Sequence, residues 1–293
     1  MTKTKLFCSF PVPAEKHDDE NALIEVVPGA GGQEASLFAE EIFNFYLGYC
    51  ESKGCQVELV ELAKNSVSKN TKVVSNNGIT KGVVRVLAEG GTNQVFRLLK
   101  FESGVHRVQR VPVTGTKSDR LQTSTCSVAV LPEPRTVKVV LNERDLKWEF
   151  MRASGAGGQA VNMTDSAVRL THIPTNTSVE SQEERAQAQN KQRALKKLSS
   201  LLYQQEWGKE QLKVATSRKL QVGSMNRNEK IRTYNFHRHM VTDNRLSQSR
   251  TVPSIQQWFT GSMGYDILDR FREELELVDM SDRLELLLNS NKF

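Results

Sequence analysis

Between Phe150 and Asn162 the chain contains a run that cannot join a hydrophobic core, so any fold must carry it as a protruding loop. Ala153, Ser154, Gly155, Ala156, Gly157 and Gly158 offer no apolar bulk, and glycine lets main-chain amides approach another molecule closely. Gln159 is the one chemically versatile side chain at the end of that run. A glutamine does not titrate near neutral pH; it donates, accepts and positions, so chemistry here is geometric rather than acid–base. Taken alone, a Gly-Ala-Gly-Gly-Gln run is a solvated turn between strands. Its setting points further: Arg152 and Arg169 flank it, and residues 162–166 stay polar up to the strand-like 167–173. A polar glycine loop on a basic stem suits insertion among phosphates.

Charge distribution supports the same direction. The net charge is +6, yet residues 1–134 balance 15 basic against 15 acidic side chains and residues 251–293 carry 4 against 8. Residues 135–250 hold 21 against 11. A basic block around a protruding loop suits RNA or another polyanion, the alternative being a solvated basic helix without a partner. At 293 residues, 38% hydrophobic and 25% charged, the chain is an ordinary globular sequence long enough for two domains. No apolar run reaches membrane-spanning length. Cys8, Cys50, Cys55 and Cys126 show no metal-ligand spacing and read as four reduced thiols. The glycine loops lack the Walker lysine, so no nucleotide or other cofactor is expected.

Taken in order, residues 1–21 read as an irregular tail and 23–27 as a strand. A helix over residues 34–53 follows, with Leu37, Phe38, Ile42, Phe43, Phe45 and Tyr46 near the 3.6-residue period. Gly-Ala-Gly-Gly-Gln therefore occurs twice, at 29–33 opening a helix and at 155–159 opening none. The unpaired amides of a helix start favour acceptors, so Gly31 to Glu34 form a possible ligand contact beside the plainer turn-and-cap reading. Residues 57–62 alternate like a half-buried strand, and 83–87 and 95–101 read as further strands or short helix. Residues 104–111 alternate until Pro112 stops them. A polar loop leads to a strand at 123–130. Pro112 beside threonines and a glutamine is a candidate base reader, although a hairpin loop looks the same.

Pro132 and Pro134 mark a boundary. Strands at 137–141, 148–151, 167–173 and 177–181 form a small sheet around the glycine loop. A long helix over 182–220 turns Leu195, Leu198, Leu202 and Leu212 inward. Residues 223–230 read as a polar hinge, 231–236 as renewed order, and 267–288 as an acidic amphipathic helix. The histidines at 106, 172, 237 and 239 read as structural or RNA-facing, with no proton-transfer role.

Several landmarks in shared order resemble the bacterial and organellar class I peptide chain release factors, most closely the branch that reads UAA and UAG. They are Gly31-Gly32 before Glu34-Ala35, Gly104 through Pro112, Gly157-Gly158-Gln159 with Val161-Asn162, Thr164 through Arg169, and Arg232 through Phe236. The resemblance implies an α+β, multi-domain chain. Residues 22–134 would be a mixed α/β codon-recognition domain and 135–230 a small α/β domain with a long helix, carrying the GGQ loop and ending in a hinge. Residues 231–293 would pack back on the first domain.

It further implies a translation termination factor whose partners are the ribosome, at its decoding and peptidyl transferase centres, an mRNA stop codon and peptidyl-tRNA. A GTPase recycling factor and a glutamine methyltransferase would be further partners. Gly157, Gly158 and Gln159 would enter the peptidyl transferase centre and trigger ester hydrolysis, with Gln159 also a methylation target. Pro112, Val113 and Thr114 would read the codon with Gly31 to Glu34 facing the first uracil, Thr114 at the second base, and Gln109 and Thr123 at the third.

The chain departs from that pattern in four places. The family's N-terminal helical domain is replaced by a short tail, Ala160 follows GGQ where histidine is usual, and residues 186–191 replace a more basic stretch. The decoding loop reads one residue longer, with Gln122 where a base-stacking histidine is expected; one residue shifts a chain by about 3 Å, so the resemblance leaves the codon set open. The short N-terminus and the altered decoding loop lean towards an organellar or otherwise divergent system, the location being cytoplasmic or mitochondrial. The alternatives are a codon-independent ribosome rescue factor and a release-factor-like RNA-binding protein. Retention of Pro112-Val113-Thr114 and an acidic C-terminal region weigh against the first, and an intact GGQ against the second.

Overall fold

The computed structural model describes residues 17–64, 78–88, 94–112, 120–133, 141–154, 163–222, 229–246, 249–251, 255–260 and 262–290. Two compact units divide the chain: residues 1–133 with 216–293, and residues 134–215. The architecture is α+β, as expected.

The first unit is built on an eight-stranded sheet. Its strands are β1 (Ala22–Pro28), β2 (Cys55–Lys64), β3 (Ile79–Ala88), β4 (Gly104–Arg110), β5 (Gln122–Pro132), β9 (Lys230–Asn235), β10 (Met240–Asp243) and β11 (Ser249–Thr251), in the order β11-β10-β9-β4-β5-β1-β3-β2. Every pairing is antiparallel except β4 with β9. Ala22, Ile24 and Val26 alternate along β1 and are fully buried, the period-2 signature of a strand packed on one face. Helix α1 (Gln33–Ser52) covers that face with Phe38, Ile42, Phe45, Tyr46 and Tyr49, all at most 1% exposed. Each such buried side chain contributes about 1.5–3 kcal/mol of transfer free energy.

Short helix α2 (Val95–Leu99) runs into a 3₁₀ turn at Lys100–Glu102. After β11, helices α4 (Ile255–Thr260) and α5 (Ser262–Ser290) return to α1. Trp258 of α4 stacks on Phe45, with ring centroids 5.7 Å apart. Tyr49 Oη donates to Asp269 of α5 at 2.7 Å.

Strand β2 differs from the half-buried expectation. Leu59, Val60 and Leu62 are 58%, 59% and 39% exposed, because β2 is the sheet edge and its register with β3 slips between Leu59 and Glu61. A bulge there rotates the alternation out of phase with the core.

The second unit is a three-stranded antiparallel sheet, β6 (Leu146–Met151), β7 (Ala167–His172) and β8 (Thr177–Ser181), under the first half of α3 (Gln187–Val222). Ala194, Leu198 and Leu202 on α3 meet Val168, Leu170 and Val179, with Leu141, Leu146, Trp148 and Leu195 at the margin. The helix starts at Gln187 rather than Gln182, since residues 183–186 bend before it. Leu212 does not turn inward but is 70% exposed. Thirty-six residues of helix extend about 54 Å, whereas six-residue strands extend about 20 Å, so the sheet is too short to cover it. The expected strand at 137–141, apart from Leu141, and the hinge at 223–228 lie outside the described residues.

Candidate functional site

Two groups of residues bear on function, one in each unit. In the first, β4 and β5 form an antiparallel pair whose register sets Gln109 opposite Thr123 and Arg110 opposite Gln122. Alternation then puts Gln109 and Thr123 on one face, and Arg110 and Gln122 on the face of α1. Gln109 is held from the neighbouring strand: its Oε1 accepts from Asn235 Nδ2 at 3.2 Å and its carbonyl from Phe236 N at 3.0 Å. Gln122 is exposed, Thr123 half-buried and Pro112 buried. Val113 and Thr114 lie outside the described residues.

The β1–α1 turn is laid against the same end of β5. Gly29 N donates to the Thr125 carbonyl at 2.8 Å, Ala30 N to Thr125 Oγ1 at 2.9 Å, and Thr125 N to the Ala30 carbonyl at 2.9 Å. Gly31 has φ +142°, and a Cβ there would overlap the Ser124 side chain. Ser124 adjoins Thr123, so Gly31, Gln109, Gln122 and Thr123 gather at one end of the sheet. Gly32 caps α1 without any side-chain hydrogen bond, leaving the positive end of the helix to acceptors from outside.

Glu34 has a different role from Gly31. It is 3% exposed and accepts from Arg110 Nε at 2.5 Å. Arg110 Nη1 reaches both oxygens of Glu41 at 2.9 and 2.7 Å, and the guanidinium lies 5.2 Å from the centre of the Phe236 ring. Burial raises the Glu41 carboxyl above its ordinary range despite Arg110. Burial pulls Arg110 down, but the carboxylates of Glu41 and Glu34 carry it above the ordinary value, so it remains charged. The Glu34 side chain thus fastens α1 to β4, and the surface of this turn is made by Gly31, Gly32 and Gln33, all exposed.

Near the start of β4, away from that end, lies a second buried ion network. Arg232 of β9 is fully buried and pairs with Glu102, at 2.9 Å through Nη2, and with Asp243 at 3.1 Å. Tyr46 Oη donates to Glu102 at 2.6 Å. His106 Nε2 lies 3.0 Å from the Glu102 carbonyl, and burial with the nearby Arg232 pushes the imidazole down to about 4. Asp243, despite its burial, is held at about 2 by Arg245 and Arg232.

In the second unit, β6–β7 pairing stops at Met151 opposite Ala167, and residues 152–166 carry the glycine run. Gly157, Gly158 and Gln159 lie outside the described residues, but the feet of the loop are visible. Ser154 donates through both its backbone N and its Oγ to Gln182 Oε1, at 3.0 and 3.1 Å. Gln187 Nε2 donates to the Asp165 carbonyl and Asn190 Nδ2 to the Ser166 carbonyl, each at 2.8 Å. Lys191 Nζ lies 4.6 Å from the centre of the half-exposed Phe150 ring. The motifs alone did not reveal Gln182, Gln187 and Asn190. Asn190 was signalled only by its spacing, since it extends the inward stripe of Ala194, Leu198 and Leu202 as a polar member. Among the described residues, no group of three His, Cys, Asp or Glu could hold a metal ion, and no helix is long and apolar enough to cross a membrane.

One unit thus presents a glycine-capped helix start at its rim, and the other holds the Gly157-Gly158-Gln159 segment in the stretch of sequence between β6 and β7. Residues 4–128 match the PCRF domain family and residues 135–245 the RF-1 domain family. Peptide chain release factor 1 of Aquifex aeolicus is 44% identical over 273 residues, covering 92% of this chain and 71% of that protein. The mitochondrial peptide chain release factor 1-like protein of Mus musculus is 44% identical over 241 residues, covering 82% and 61%. Among solved structures, RF2 of Thermus thermophilus is 35% identical, covering 87% of this chain and 69% of that one at a TM-score of 0.48. The chain belongs to the peptide chain release factors, and it is a translation termination factor that recognises stop codons.

Proposed function

We propose that this chain reads UAA and UAG in the ribosomal A site through residues 22–134 and releases the peptide through residues 135–230, with 231–293 completing the first domain. The observation that carries this reading is the meeting of Gly31, Gln109, Gln122 and Thr123 at one end of one sheet. Residues 31–33 would face the first uracil with the open end of α1. Glu34 would act by holding that end through Arg110. Thr114, which follows Pro112 and Val113 in sequence, would read the second base, and Gln109 and Thr123, opposite each other on β4 and β5, would read the third. Well-made base contacts discriminate by about 1–3 kcal/mol each, so rejection of sense codons also requires domain rearrangement. The hinge expected over residues 223–230 would serve that movement.

In the second unit, Gly157 and Gly158 would let the backbone enter the peptidyl transferase centre. Gln159 places a water and excludes larger nucleophiles. The water oxygen bonds to the ester carbonyl carbon, the ester C–O bond breaks, and the proton is taken up by the departing tRNA oxygen. The backbone N–H of Gln159 stabilises the developing oxyanion; loss of one such donor costs about 3 kcal/mol. Gln159 is also the residue a glutamine methyltransferase would modify, and a GTPase would recycle the factor. The altered decoding loop, with Gln122 in place of the usual histidine, favours an organellar ribosome, with mitochondrial placement ahead of cytoplasmic.

Release of labelled peptide from purified ribosomes holding UAA, UAG, UGA or a sense codon in the A site tests the reading. Release on UAA and UAG alone is expected, and Gln159→Ala should cut release at least a hundredfold with little change in ribosome binding. Equal release on complexes without a stop codon would instead identify a rescue factor.

A further inference from the structure

We propose that Asn190 and Gln182, with Gln187, form a side-chain amide clamp that sets where the glycine-glycine-glutamine loop is presented; they are positioning residues for release. The inference rests on the reading of Gln159 as the group that acts on peptidyl-tRNA. Among the described residues the β6–β7 ladder ends with Met151 opposite Ala167, and residues 152–154 and 163–166 beyond it need other contacts to hold them. Both feet are tied to one short stretch, residues 182–190, that lies outside the loop. Gln182 Oε1 takes both hydrogen bonds of Ser154 on the outgoing side. Gln187 and Asn190 take the carbonyls of Asp165 and Ser166 on the return side.

Asn190 is the centre of the clamp. It is fully buried, and a buried amide is costly unless its hydrogen bonds are made. Here Nδ2 donates to the carbonyls of Ser166 and Glu184, both at 2.8 Å, while Oδ1 accepts from Glu184 N at 3.0 Å and Ser181 Oγ at 3.5 Å. The opposite orientation of the amide would set its oxygen against two carbonyls, so the network selects one. Packing alone would have been met by continuing the apolar stripe of Ala194, Leu198 and Leu202. An amide at 190 joins the end of β8, the bend before α3 and the return foot of the loop at a single point. Misplacement of a reacting group by about 1 Å can cost a hundredfold in rate, which makes the feet a sensitive place to fix the loop.

The test uses the full chain on ribosomes with a stop codon and peptidyl-tRNA, measuring the rate at saturating factor separately from the half-saturating concentration. Asn190→Ala and Gln182→Ala should each lower the saturated rate about tenfold or more, with the half-saturating concentration within about twofold. Gln182 is exposed, so its variants retain the fold. Gln182→Glu keeps an oxygen facing Ser154 and should restore the rate, whereas Gln182→Lys should not. With hydroxylamine present, the alanine variants should divert a larger fraction of peptide to the hydroxamate, because a loosened loop excludes the larger nucleophile less well. Wild-type rate and product ratio for Gln182→Ala, or equal loss for Gln182→Glu, would overturn the clamp. Gln159→Ala in the same assay separates the two ideas. If it releases peptide normally, the underlying reading fails; if it is inactive while Gln182→Ala and Asn190→Ala are unimpaired, only the clamp fails.

Discussion

Glu34 lies at the turn proposed to face the codon, yet its side chain is buried. Its carboxylate is committed to Arg110, and with Glu41 it holds the start of α1 against the end of β4. Arg110→Met should therefore destabilise the protein by about 3–5 kcal/mol, since it leaves the buried Glu34 without its cation. Urea unfolding measures this, and adding Glu34→Gln to Arg110→Met should recover part of the loss. Thr123→Val keeps the shape of a strand residue but removes a hydroxyl beside Gln109. It should weaken discrimination at the third codon position by about 1–3 kcal/mol, read as a changed ratio of release at UAA to UAG. Gln109 and Thr123 came together through the resemblance to the release factors, and the β4–β5 register sets them opposite each other. The partnership of Glu34 with Arg110 was not legible, since lone charges 76 positions apart carry no mark of contact.

Elements were legible where burial and period agreed. The α1 stripe at Phe38, Ile42 and Phe45 and the β1 alternation at Ile24 and Val26 meet a broad sheet that buries the whole period. Helix α3 shows what periodicity omits. Its leucines repeat well past the sheet that could bury them, so Leu198 is in the core and Leu212 in solvent. Leu198→Ala should cost about 2–5 kcal/mol and Leu212→Ala no more than about 0.5 kcal/mol, compared by thermal or urea denaturation. Edge position and a bulge undid the β2 expectation in a similar way, because alternation says which residues share a face but not whether that face is covered.

For the molecule as a whole, the basic excess in residues 135–250 should make ribosome affinity fall steeply as salt rises, with a linear log–log slope. A pH dependence follows from His106, whose folded value of about 4 lies below the ordinary 6.5 because it is buried beside Arg232. The unfolded chain gains a proton below pH 6.5 and the folded chain does not until about pH 4, so stability is complete above 6.5 and declines across that window. The slope should approach about 1.4 kcal/mol per pH unit. Urea midpoints from pH 7.5 to 4.5 measure the decline, and His106→Gln should flatten it. Asp243 adds a second loss, between pH 3.8 and about 2. The parallel pairing of β4 with β9 also has a bearing on how the protein is made. Glu102 leaves the ribosome 130 positions before Arg232, the cation that neutralises it. At about 5–20 residues per second that interval is about 6–26 s, during which the second unit is made first. Until the far end of the chain is made, β4 has no β9 beside it and Glu102 no Arg232.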